Sequence, residues 1–159
     1  MVDLFYKPQP EDGAELLRMI AGGDFAPNAR DFRALADSLH GEPALAEDIV
    51  FTLCRLEDDR LVHFCESALN CGVAEATDLI EAVLIRRGLT GLLEFVEPLA
   101  HDDRHALWLA DLLAEVRDDE ATRLLLGFLD HTSGSVRSRA AEGLRAHRAT
   151  VDPRALVRF

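Results

Sequence analysis

Shifted against itself by thirty residues, the chain sets apolar residue against apolar residue through four successive copies, and no other feature constrains its fold as much. Leu39, Leu69, Leu99 and Leu129 share one column, and Leu35, Cys65, Phe95 and Leu125 share a second, four positions earlier. Ala46, Ala76, Ala106 and Val136 form a third column, and Val50, Ile80, Ala110 and Ala140 a fourth. Leu53, Val83 and Leu113 are followed by Gly143 and its neighbour Leu144 in a fifth. No insertion interrupts the register. Columns that stay apolar in phase describe a repeated pair of helices; one such pair cannot bury its own apolar sides and needs neighbours.

The stretch from Asp118 to Arg148 shows the unit most fully. Ala121, Leu124, Leu125, Phe128 and Leu129 recur at three- and four-residue spacing, which puts them on one side of a helix. Asp118, Asp119 and Glu120 supply a cap and favourable charge at its start. Residues His131 to Gly134 break it, and Ser133 or Ser135 can cap a second helix whose apolar side is Val136, Ala140 and Leu144.

Earlier copies carry their own punctuation. Residues 1–10 read as an irregular leader in which Leu4, Phe5 and Tyr6 can pack over a helix from Glu11 to Ala21. Gly22, Gly23 and Pro27 end that helix, and its Leu16 and Ile20 fall on second-helix columns. Asn28 with Asp31 makes a capping box, Asp replacing the usual Glu, ahead of Phe32, Leu35 and Leu39. Pro43 stands at the first position of a helix running to about Leu56. Glu57, Asp58 and Asp59 separate this pair from the next, Leu61–Leu69 and Ala74–Arg87, which Gly88 stops. Thr90 is placed to cap a helix with Pro98 near its end, and Asp102 with Asp103 to cap Arg104–Arg117. Asp152 and Pro153 repeat a start signal, and Phe159 lands on the Leu39 column.

The helix–turn–helix period, the acidic loops between copies, a proline in a first helix and the segment VRSRAAEGL at 136–144 resemble HEAT-type repeats, close kin of armadillo repeats. The resemblance covers Asp31 to Arg148; the period is short for the family, and its Asp and Arg positions are partly present. It implies an all-α fold, a right-handed α-α superhelix (HEAT-like solenoid) of about four helical hairpins with half-repeat caps. The domain organisation expected is a single unit over 1–159: leader and capping helix to 30, four repeats over 31–150, and a C-terminal cap over 151–159. It also implies that second helices line a concave side, and that the chain binds rather than catalyses.

Charge narrows the partner. The net charge is −12, unevenly spread: residues 131–159 hold six arginines against Glu142 and Asp152, while the first 130 residues hold 27 carboxylates against 11 basic side chains. Such a body repels phosphate backbones and favours basic partners. No apolar run reaches membrane-spanning length, and the first residues lack the charged and apolar regions of a secretory signal. Three cysteines without framework spacing suit a reducing compartment, so a cytoplasmic protein without a membrane partner is expected.

In each second helix the positions off the core columns are Asp48, Phe51 and Arg55; Asp78, Glu81 and Ile85; Trp108, Asp111 and Glu115; and Ser138, Ala141 and Arg145. On the resemblance these are ridges of the concave face, and Asp48, Phe51, Asp78, Glu81, Trp108, Asp111 and Glu115 are the candidate partner-binding residues. Trp108 shares its column with Asp48, Asp78 and Ser138, so it reads either as an interface anchor ringed by carboxylates or as a ring turned inward. The acidic ridge itself reads as a binding face or as an ordinary solvated one.

Cys54, His63, Cys65 and Cys71 lie close in sequence but lack CxxC spacing, and Cys54 aligns with Leu84 while Cys65 stands in a core column. No metal and no cofactor is therefore expected. His101 and His131 share a turn column, with His40 near, where each can meet a helix C-terminus. There is no Gly-rich phosphate loop, GxSxG or HExxH, so no catalytic residue is assigned. The expectation is a non-catalytic protein-binding module, a monomer or weak dimer; its sharper form is an immunity or inhibitor protein masking a basic toxin domain of nuclease type. A scaffold or regulatory subunit using Arg137 to Arg158 is the alternative. A HEAT-like DNA glycosylase using Trp108, Asp111 and Asp78 is a distant third, since the acidic ridges lack the basic groove a duplex needs.

Overall fold

The computed structural model describes residues 13–23 and 25–150, with side chains through residue 148. The leader with Leu4, Phe5 and Tyr6, the helix start at Glu11, and the C-terminal half-repeat with Asp152, Pro153 and Phe159 lie outside the described residues. Within them the fold is all-helical: α1 (Gly13–Gly22), α2 (Ala29–Gly41), α3 (Pro43–Cys54), α4 (Asp58–Asn70), α5 (Ala76–Arg87), α6 (Leu93–Ala100), α7 (Asp103–Glu115), α8 (Asp119–Phe128) and α9 (Gly134–Thr150). Contacts divide the chain inside α5, between Ile80 and Glu81, into two compact units.

In the first unit α1 packs on α2 and α3, and α2 on α3. Leu16, Ile20, Phe32, Leu35, Ile49 and Leu53 are buried there, and the Phe32 and Phe64 rings, with centroids 5.3 Å apart, tie α2 to α4. The Asn28 capping box is formed: the Asn28 side chain accepts from the Asp31 N–H, and the Asp31 carboxylate accepts from the Asn28 N–H at 2.9 Å. Pro43 occupies the first turn of α3, where its missing N–H leaves no helical bond unmade. α4 begins at Asp58 rather than Leu61, because Asp58 and Asp59 are drawn into its first turn, where carboxylates favour the positive end of the helix.

In the second unit α7 packs on α6, α8 and α9, and α8 on α9. Phe95, Val96, Ala106, Leu109, Ala110, Leu113, Ala121, Leu125, Val136 and Ala140 form its core. Gly143 lets α9 approach closely: a Cβ there would stand 3.0 Å from the Ala114 Cβ and 3.1 Å from Leu125 Cδ1. α6 starts at Leu93 with no side-chain cap, so Thr90 does not cap it. Gly88 (φ +78°) and Gly91 (φ +79°) turn the chain instead, and the Leu89 N–H finds its acceptor in Asp118 Oδ2 at 2.7 Å. Of Asp102 and Asp103 only Asp102 is a cap; Asp103 is the first helical residue of α7.

Burial follows four of the five columns closely. Leu35, Cys65, Phe95 and Leu125 are all buried, as are Ala76, Ala106, Val136, Ile80, Ala110, Ala140, Leu53, Val83, Leu113 and Leu144; Ala46 and Val50 are half-buried. The Leu39 column departs: Leu99 is buried, Leu39 and Leu69 are half-buried, and Leu129 is 38% exposed. Leu129 is the C-cap of α8 and keeps αR backbone, and Leu39 and Leu69 lie inside α2 and α4, so helical phase alone does not bury this column. Leu124, expected on the core side, is half-buried.

Candidate binding surface

All twelve ridge positions escape burial. In the first unit Asp48 is exposed on α3, and Phe51 is 51% exposed with the Arg55 guanidinium 5.3 Å from its ring centre, a cation–π contact. Asp78, in the first turn of α5, accepts a 2.7 Å contact from His40 Nε2 in the last turn of α2.

The second unit holds Glu81, Trp108, Asp111 and Glu115. Trp108 is half-buried, neither fully inward nor free: its indole N–H donates to Glu81 Oε1 at 2.6 Å, and the His105 ring meets it edge-on at 6.4 Å. That bond fixes the ring and uses one carboxylate oxygen of the ridge. Asp111 Oδ1 lies 3.0 Å from Arg139 Nε, and Arg139 Nη1 donates to Glu142 at 3.3 Å. Glu115 is exposed, as are Ile85, Ser138 and Arg145, with Ala141 half-buried. Three ridge carboxylates, Asp78, Glu81 and Asp111, thus already have partners within the chain.

Other charges serve the scaffold. At the start of α7, Asp102 accepts from the Arg104 side chain first and from the Arg104 backbone N–H second, which holds its carboxyl well below the usual carboxylate range. Arg123 is raised above the ordinary arginine value by Glu120 first and Glu97 second. His147 is buried, its Nε2 donating to the Leu113 carbonyl at 2.9 Å, and Thr122 Oγ1 sits 2.8 Å from Nδ1. His131 Nδ1 accepts from the Ser133 N–H at 3.0 Å, which leaves Nε2 facing Asp103 at 3.3 Å.

Among the sequence-adjacent thiols and His63, Cys65 is buried in its core column, Cys54 is half-buried rather than in the core slot expected, and Cys71 caps the end of α4 with Sγ 3.1 Å from the Ala68 carbonyl. His63 is exposed. Among the described residues, no three His, Cys, Asp or Glu side chains are placed to hold a metal ion.

Two hollows have no counterpart in the reading of the sequence. One, of about 470 Å³, lies in the first unit against Ile20, Phe25, Pro27, Leu56 and Phe64. At its side Arg60 Nη2 donates to the Ile20 carbonyl at 2.6 Å and lies along Gly23 (φ +97°). The other, of about 490 Å³, is a groove between α7 and α9 beside Leu107, Ser135, Ser138, Arg139 and Glu142. Leu107 is 43% exposed. Its column holds Glu47, Thr77 and Arg137, so an apolar residue in a polar column was the signal available for it, the same signal that singles out Trp108. No family model, no curated protein and no solved structure matches the chain.

Proposed function

We propose that the chain is a non-catalytic protein-binding module of the HEAT-like solenoid type, whose second-helix ridges take a basic protein. Its sharpest form is an immunity or inhibitor protein that masks a toxin domain of nuclease type. The observation that carries this reading is Trp108, an aromatic ring at the surface held in one orientation by Glu81, with Asp111 and Glu115 further along the same helix. A ring fixed before binding loses little freedom on binding, which is what an interface anchor requires. The carboxylates that now face His40 and Arg139 are in exposed pairs worth about 0–1 kcal/mol each. A partner's lysines and arginines can therefore replace those internal partners at small cost. Inhibition is by occlusion: carboxylates accept from the target's basic side chains while Phe51 and Trp108 meet its apolar surface.

The test is capture from the native host with the purified chain as bait, at low and moderate salt. A small basic protein that is held and loses its activity is the expected result. Asp78→Lys with Asp111→Lys should weaken that capture by at least about tenfold with little change in melting temperature, both sites being at the surface. Capture that is indifferent to the double substitution sinks the ridge as the interface. Exposed Arg145 and Arg148 on α9 favour a second reading, a subunit docked on an acidic complex; retention of such a complex, lost on Arg145→Glu with Arg148→Glu, would establish it instead.

A further inference from the structure

We propose that His131 is a proton-operated latch at the start of α9: the neutral ring holds the turn that leads into the helix, and the protonated ring releases it. The inference is independent of what the chain binds. α9 has no acidic residue in its first turn, so the N–H that a capping box would give to a carboxylate needs another acceptor. Ser133 stands at that cap, its carbonyl accepting from the Arg137 N–H at 3.1 Å. Its own N–H donates to His131 Nδ1 at 3.0 Å. A backbone N–H is only ever a donor, so Nδ1 carries no hydrogen, and the ring is neutral with its hydrogen on Nε2. The side chain is 14% exposed and lies edge-on to Phe128, with ring centres 6.0 Å apart.

Protonation places a hydrogen on Nδ1, and two donors then face each other. Other histidines escape this conflict. The Thr122 hydroxyl beside His147 Nδ1 can turn round and accept, giving its own hydrogen to the Asp118 carbonyl at 3.3 Å. His40 and His105 face the carboxylates of Asp78 and Asp102, which accept from a charged ring. The Ser133 amide cannot turn round, so either the ring or the turn has to move. The charged and titratable groups around the ring are Asp103 of α7, Glu97 of α6, His101 at the C-cap of α6, Arg123 of α8, Asp130 of the turn and Arg137 of α9. Protonation thus exchanges partners: the Ser133 bond is lost, and the contact of Nε2 with Asp103 at 3.3 Å becomes an ion pair. Arg137 Nη1 holds the His131 and Thr132 carbonyls at 2.7 and 2.8 Å whatever the charge on the ring. Release is therefore confined to the cap and leaves α9 wound.

The experiment follows the nitrogen-15-labelled full chain by NMR from about pH 8 to about pH 5, the range in which histidine charge changes. Ring nitrogen shifts should show the Nε2–H tautomer of His131 at the upper end. As the ring gains its proton, the Ser133 amide resonance should move in step, and its protection against hydrogen exchange should fall roughly fivefold or more, the worth of one net hydrogen bond. His131→Asn supplies an amide oxygen that accepts from the same N–H two residues on but does not titrate. In that variant the Ser133 amide should stay protected across the range. In His131→Ala it should be unprotected throughout, with the amides of the α9 interior unchanged in both variants. Three results would each overturn the latch: a ring that stays neutral down to about pH 5, a Ser133 amide that stays protected while the ring titrates, or the same pH response in His131→Asn.

Discussion

Asp118 shows how one side chain can serve two parts of a unit. Its Oδ1 accepts from the Ala121 N–H at 2.7 Å as the cap of α8, and its Oδ2 accepts from the Leu89 N–H at 2.7 Å, 29 residues earlier. Removing it orphans donors at both places, so Asp118→Ala should cost about 2–4 kcal/mol in denaturant unfolding, more than a cap alone. Gly88→Ala should be costly for a related reason: its φ is +78°, and the added Cβ would come within 2.8 Å of Asp118 Oδ2. Asp102 makes a prediction about pH. Its folded-state pKa lies below its ordinary 3.8, so its contribution is present at neutral pH and persists through pH 4. Melting of Asp102→Ala should therefore trail the parent at both pH 7 and pH 4, and the gap should close only as pH falls through the lowered value. A gap that closes by pH 4 would show that the Arg104 contacts do not depress this carboxyl.

Among the helices, α7 and α9 are the pair whose approach decides most. The fifth column runs Leu53, Val83, Leu113 and then Gly143, and the glycine is what allows Ala114 and Leu125 to come so near α9. Gly143→Val restores the apolar column in sequence and overfills the space; it should destabilise by about 1–3 kcal/mol or more by chemical denaturation. Leu125→Ala, at a fully buried site, should cost about 2–5 kcal/mol, and Leu129→Ala, at the exposed C-cap, much less. Equal costs at the two leucines would contradict this difference in burial. α6 is the element least supported from its own sequence: eight residues, an uncapped start at Leu93 and Pro98 inside. It is held by Phe95, Val96 and Leu99, all buried.

For the molecule as a whole, charge is the property on which solution conditions act most directly. A net charge of −12 repels itself, so moderate salt should raise the melting temperature, while the same salt weakens capture of a basic partner. Opposite responses of stability and binding to one variable distinguish this balance from a hydrophobic interface, for which both would rise together. A chelator should leave the melting curve unchanged, since Cys65 is packed as a small apolar core residue and Cys71 meets a backbone carbonyl.

Local signals were enough to place most of the helices, with α6 the exception. The Asn28 box, Pro43 at the start of α3, Gly88 after α5, Asp102 and Asp118 at α7 and α8 act within one turn of the chain, and periodicity at 3.6 residues aims Leu35, Cys65, Phe95 and Leu125 inward whatever surrounds them. What required the tertiary structure is everything that depends on a second segment. Thr90 caps nothing because the turn at Gly91 delays α6 to Leu93, the Leu89 N–H is met by a carboxylate 29 residues away, and Trp108 is fixed by Glu81, 27 residues before it. Asp111 meets an arginine on another helix, and Leu107 borders an open groove only because Gly134, Ser135 and Ser138 of α9 are small. A column in a repeat reports whether a position faces in or out; which particular atom meets it is settled by side chains far away along the chain, through distances that no local spacing encodes.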